Sequence, residues 1–217
     1  MCPLPFLILT QARLFKVANG WEMRAIKPIP RDTQVYNTYG NLPNADLLRR
    51  YGYVISDSRD DLVEISAELI VSVVGRDTTE TKRRIDILDE EEVYEEYSPV
   101  RTTLNARAYE IPWSGKIPEE MYVFCLSMMA ETLDAESVPE MKKSAELKAV
   151  VLEILRKRMD EYETSMEDDE RLLSSEIGMR ERMAIEVRLG EKRILHRAMD
   201  KIHAWSLEPP SKRQKTK

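Results

Sequence analysis

Cysteine, histidine, phenylalanine and glycine are all scarce in this chain, at two, two, three and seven of 217 residues. Cys2 and Cys125 lie far apart, which excludes a disulfide framework and a thiolate-rich zinc site and fits a reducing compartment. His196 and His203 stand seven positions apart among charged residues with no cysteine nearby, so they read as surface histidines and no metal site is assigned. Phosphate loops of the G-x-x-x-x-G-K and G-x-G-x-x-G types are missing, and so are H-E-x-x-H and G-x-S-x-G. Nothing repeats at a period of 20 to 50 residues, which removes solenoid architectures. The apolar opening MCPLPFLILTQA has two prolines, no basic flank and far fewer than the roughly 20 residues that span a bilayer. It reads as neither signal nor anchor, and no membrane or nucleic-acid partner is assigned.

Charge is segregated along the chain. The net value is −6, with acidic runs in DILDEEEVYEEY and MEDDE, whereas the last residues, SKRQKTK, are strongly basic. The acidic runs read as solvated helix faces that also attract a basic partner at long range. Behind Pro209 and Pro210, Lys212, Arg213 and Lys215 read as a nuclear-import signal, with a solvated tail as the plainer alternative. The expected location is the nucleus, with the cytoplasm second.

Hydrophobic periodicity divides what lies between. ARLFKV and WEMRAI alternate on either side of Asn19-Gly20, a strong hairpin signal, and a third strand is expected over Gln34–Thr38. Beyond Tyr53 the period becomes helical. Helices are expected over Ser66–Val74, Thr81–Tyr97, Pro118–Ala130, Pro139–Tyr162, Ser165–Ser174 and Met179–Trp205. Leu147, Val151 and Leu155 should be core, as should Met183, Val187, Ile194, Ala198, Ile202 and Trp205 in the last helix. Gly190 inside that helix costs about 1 kcal/mol relative to alanine and points to close packing or a kink. The run TTLNARAYEIP is too broken to assign and reads as an extended connection.

Tyrosine is the exception to the aromatic poverty, and four of nine fall within QVYNTYGNLPNADLLRRYGYV. Gly40 and Asn41 supply turn chemistry, and Asn44 is placed to cap a short helix through Leu47 and Leu48. The turn would bring Tyr39, at the strand's end, close to Tyr51, at the helix's end. Two readings follow from the residues: core phenols bonded to the backbone, or rings lining a channel.

NTYGNLPNADLLRRYGYV resembles the C-terminal motif of SET-domain protein-lysine methyltransferases of the subgroup with a Rubisco-methyltransferase-like helical domain, the ribosomal lysine methyltransferases among them. AIKPIPRDTQVYNTYG resembles the approach to that motif, and RMAIEVRLGEKRILHRAM resembles the closing helix of the helical domain. The resemblance implies an α+β chain, mostly α: a C-terminal remnant of a SET β-fold over 1–56, a helical substrate-binding domain over 57–206 and a disordered basic tail over 207–217. It implies S-adenosyl-L-methionine as cofactor and a lysine of a basic protein as substrate, a ribosomal protein foremost. By position in the motif it implies Tyr39 as the catalytic residue, Tyr39 and Tyr51 at the cofactor, and Tyr51 and Tyr53 along the substrate-lysine channel. The family's Gly-x-Gly cofactor segment and Asn-His pair do not occur here, so this short chain is expected to lack half of the cofactor pocket and to be inactive alone. A non-catalytic helical protein-binding module is the rival expectation.

Overall fold

The computed structural model describes residues 10–37, 40–75, 77–90, 108–134 and 139–206, the side chains of residues 89 and 90 apart. Four strands and seven helices occur among the described residues. The expected hairpin forms: β1 (Ala12–Val17) pairs antiparallel with β2 (Gly20–Ala25), Leu14 opposite Met23 and Lys16 opposite Trp21. Leu14, Trp21 and Met23 occupy one face of this ribbon and all are exposed, Trp21 at 63 %. No strand follows over residues 34–37. The Tyr36 carbonyl accepts from the Gln11 and Ala12 N–H groups, but its own N–H goes to Gln11 Oε1, so side chains replace the ladder. Thr38 lies outside the described residues.

After α1 (Asn44–Tyr51) the chain forms a second sheet. β3 (Leu62–Ser66) pairs antiparallel with β4 (Ala108–Pro112), Val63 opposite Ile111 and Ile65 opposite Tyr109. The segment that looked too broken to assign is therefore in part a strand: Tyr109 and Ile111 face inward while Ala108 and Glu110 do not, the alternation of a half-buried strand. Ser66 ends β3 and caps α2 (Ala67–Val74), its hydroxyl accepting from Leu69 N–H at 3.2 Å.

α3 (Thr78–Glu90) starts three residues before the expected boundary because Asp77 Oδ1 accepts from the Thr79 and Glu80 N–H groups, both at 3.0 Å. The expected continuation to Tyr97 lies outside the described residues. α4 (Glu119–Met129) buries Met121, Tyr122, Phe124, Cys125 and Met128, so apolar on nearly all sides it runs through the middle of the core. Arg84 of α3 donates to the Ser127 and Glu131 carbonyls at the end of α4, satisfying orphan acceptors there.

α5 (Ala145–Asp160) begins at its Ser144 cap, six residues after the expected start. α6 (Met166–Leu173) opens on a capping box between Ser165 and Asp168. α7 (Met179–His203) packs against α5, α6, α1 and both strands of the second sheet. One core joins Val63, Ile65, Tyr109 and Ile111 to the helices, and Leu147, Val151, Leu155, Ile194, Ala198 and Ile202 are buried in it as expected. Met183 and Val187 are only half-buried. Ile185 and Leu189 take the inward positions instead, because α7 turns a different face to α1 and α6 near its start than to α5 further on.

Candidate functional site

The tyrosine turn is built around α1. Asp46 in the first turn and Arg49 and Arg50 in the last complement the helix dipole, and both arginines reach Asp46, at 2.8 and 3.2 Å. Leu47 is buried and seats the helix. Tyr51 ends it at 43 % exposure, and Tyr53, just beyond, is half-buried. Tyr51 is thus no core phenol. Tyr39, the residue placed at the transfer site from the sequence, lies outside the described residues, and with it the expected closeness of Tyr39 and Tyr51.

Asn44 does not cap α1, contrary to the sequence expectation; Pro43 occupies the cap position and lends no side-chain bond. The cap comes from elsewhere in the chain. Asp61 Oδ1 accepts from Asn44 N–H at 2.9 Å, taking one of the orphan donors at the helix start. The Asn44 side chain is free to bond outward: its Nδ2 donates to Asp61 Oδ2 at 3.1 Å and to the Ile55 carbonyl at 2.9 Å, while its Oδ1 accepts from Ile55 N–H at 2.7 Å. Burial pushes the Asp61 carboxyl above its ordinary value, although bonds from Asn44 and Leu62 and the nearby Arg197 oppose that shift.

Asp61 lies against Gly190 of α7. A Cβ at residue 190 would come within 2.7 Å of Asp61 Oδ2, so the glycine that looked costly in the sequence is there for close approach. Beside this contact opens a cleft of about 390 Å³ between α1, α6 and α7, walled by Trp113, Arg193 and Arg197. Arg197 stacks 4.6 Å from the Trp113 ring centre and donates through Nε to the Trp113 carbonyl at 2.7 Å. Gly115 makes that possible: a Cβ there would meet backbone atoms of Arg197 and Ala198 at 2.8 Å. Arg193 is engaged by Asp57 and Glu170.

Tyr51 and Tyr53 line neither this cleft nor a second one. His196 borders the second, of about 510 Å³, between α5, α6 and α7; both histidines are exposed, as read from the sequence. Among the described residues no three His, Cys, Asp or Glu side chains are grouped to hold a metal. No helix among them is long and apolar enough to cross a membrane. Lys212, Arg213 and Lys215 lie outside the described residues. Sequence reasoning missed Asp61 altogether, and the one available signal was Gly190, which marks a close neighbour without naming it.

Comparison with known proteins gives this arrangement a context. The family model described as Rubisco LSMT substrate-binding matches residues 79–195, more than half of the chain. Human N-lysine methyltransferase SETD6 is 26 % identical over 222 residues, covering 87 % of this chain and 45 % of that protein. Ribosomal lysine N-methyltransferase 4 of Saccharomyces cerevisiae is 45 % identical over 83 residues, 36 % of this chain and 17 % of that protein. Among solved structures, the SET domain of LSMT bound to lysine and AdoHcy shares the fold at a TM-score of 0.59 and 17 % identity, over 87 % of this chain and 44 % of that one. The chain spans less than half the length of these relatives. The resemblance read from the tyrosine motif and the last helix, to SET-type lysine methyltransferases, is upheld, as is the α+β, mostly α fold. The chain belongs to the Rubisco LSMT substrate-binding family.

Proposed function

We propose that this chain is the tyrosine-turn and substrate-holding part of an S-adenosyl-L-methionine-dependent protein-lysine N-methyltransferase. The observation that carries this reading is the order and seating of its parts: the tyrosine motif runs through α1, and α1 packs directly on α7 of the helical domain. The 45 % identity to the yeast ribosomal lysine methyltransferase over 83 residues supports a ribosomal protein as substrate. The exposed apolar face of β1 and β2 supports the division at residue 56, because a SET β-fold carries further strands against which Leu14, Trp21 and Met23 would be buried.

The residues present fit the lysine side of such a reaction. When bound, S-adenosyl-L-methionine supplies an electrophilic methyl group on a sulfonium. A lysine ε-amine must be neutral to attack it, yet its ordinary pKa is about 10.4, so the protein has to hold the deprotonated form in a dry channel. Tyrosine suits that work: the ring excludes water, and the hydroxyl accepts a hydrogen bond from the amine and keeps its lone pair directed at the methyl carbon. Tyr39 and Tyr51 are assigned to the transfer site and cofactor side, and Tyr51 and Tyr53 to the channel wall. Tyr51 and Tyr53 are both reachable from solvent, which a side chain receiving lysine requires. The N–C bond forms as the C–S bond breaks, and the cationic product can rest against the ring faces.

The test is a chimera in which residues 12–217 replace the matching part of the yeast relative, assayed for tritiated methyl transfer to ribosomal proteins. Label on protein lysine is expected; transfer no greater than the isolated yeast half gives would end the reading. A second reading, the non-catalytic binding module, is favoured by one observation: the large core cluster draws nothing from residues before Val63. It predicts binding of basic proteins by the chain with no labelling by the chimera. The tail reading, nuclear import through Lys212, Arg213 and Lys215, predicts that deleting 207–217 moves a fluorescent fusion toward the cytosol, and an unmoved signal would remove it.

A further inference from the structure

We propose that Asn44, Asp61 and Gly190 form a positioning clasp that fixes the tyrosine turn against the helical domain. Its functional weight rests on the lysine-channel reading of Tyr39, Tyr51 and Tyr53; its geometry does not. α1 has eight residues, too few to hold itself together in water, and its own cap position is a proline without a side-chain acceptor. The Asp61 carboxylate supplies what is missing, accepting from both the backbone and the side chain of Asn44 at the positive end of the helix. The same Asn44 side chain clamps both backbone groups of Ile55, on the chain leaving Tyr51 and Tyr53. Asn44 therefore grips the turn at both ends, four residues after Gly40 and two after Tyr53.

Gly190 gives the clasp its seat. With no Cβ it lets α7 approach Asp61 so closely that any side chain at 190 would displace the carboxylate or push α7 away from it. The buried polar groups are all paired within the clasp, which is why the arrangement is specific: removing one member strands the others away from water. Two substrate-facing tyrosines thus depend on a contact with a helix more than a hundred residues further along the chain, and the clasp works as positioning residues, with no member touching substrate.

Hydrogen exchange on the full chain, with no cofactor or substrate present, tests this apart from the methyltransferase reading. Asn44→Ala is expected to lower amide protection across α1 by about ten- to hundredfold, the loss of a buried bond to a charged acceptor, while α5 and α7 keep theirs. Gly190→Ala, a milder probe should Asn44→Ala unfold the chain, is expected to act in the same direction. Asn44→Asp keeps the side chain's size and its acceptor for the Ile55 N–H but sets a carboxylate against Asp61 and the Ile55 carbonyl, so it should lose α1 protection at least as far as Asn44→Ala. Unchanged α1 protection in Asn44→Ala and Gly190→Ala overturns the clasp. So does a fall in α5 and α7 in step with α1, or an Asn44→Asp chain as well protected over α1 as its parent. A failure of methyl transfer in the chimera would sink the lysine-channel reading and leave this result standing.

Discussion

Lys192 and Asp169 are each almost wholly buried and meet at 2.6 Å, where the α6 start crosses α7. The ammonium also donates to the Thr164 carbonyl and hydroxyl, at 2.5 and 3.1 Å, and Arg188 takes the other Asp169 oxygen at 2.5 Å. Burial alone would raise the Asp169 carboxyl, but the bonds from Arg188, Lys192 and Thr164 outweigh it and hold the group below the ordinary range. A carboxyl depressed in the folded state stabilises above its unfolded value, about pH 4, and loses that contribution as pH falls through the folded value. Asp169→Ala should cost about 3–5 kcal/mol at neutral pH, since it strands a buried ammonium, and should flatten the acid limb of the stability curve. Lys192→Met should cost less, because Asp169 keeps Arg188 and Thr164. Urea melts of both variants between neutral pH and about pH 3 check the order; equal losses, or an unchanged acid limb, would show that Asp169 does not govern this corner. None of this pairing was visible in the sequence, where MEDDE reads as a solvated run. The core positions Leu147, Val151 and Leu155 were visible, because a helical stripe needs only spacing, whereas an ion pair needs to know which helix crosses which.

Elements with local causes were legible. Asn19-Gly20 places the first hairpin, and Ser165 with Asp168 opens α6 where expected. The second sheet was not legible: β3 and β4 are distant in sequence, and neither pairs with a neighbour through a short turn. Asn44 misled for a related reason. Its residue type fits a cap, but a proline just before it takes the position and a carboxylate 17 residues on does the capping. The second sheet belongs with the helices, since Val63, Ile65, Tyr109 and Ile111 are buried in their core while the first hairpin contributes nothing to it. Residues 57–206 alone should therefore melt cooperatively with the helix content of α2 to α7, somewhat less stably because Asp61 loses both Asn44 donors. A broad, non-cooperative transition by circular dichroism would mean that α1 and the residues before it complete the core.

At the scale of the molecule, a helical body with its own core carries a short tyrosine-bearing helix on its surface, and an apolar ribbon precedes it with one face uncovered. That layout is the one the proposed reading requires, in which the tyrosine turn and the helical domain together form the lysine side of a methyl-transfer site. The sequence pointed to this through one motif and one closing helix, and the family match over residues 79–195 agrees with it. Composition could not have done so, because most of the chain is ordinary amphipathic helix. The central claim is that the tyrosine turn performs the transfer, and the measurement that bears on it most directly is the rate of methyl transfer by the chimera with Tyr39→Phe. One lost hydroxyl that orients the amine should slow transfer by about 10²–10⁴-fold, with the melting temperature held, since the ring remains. A Tyr39→Phe chimera as fast as its parent would contradict the account and place the chemistry on another residue.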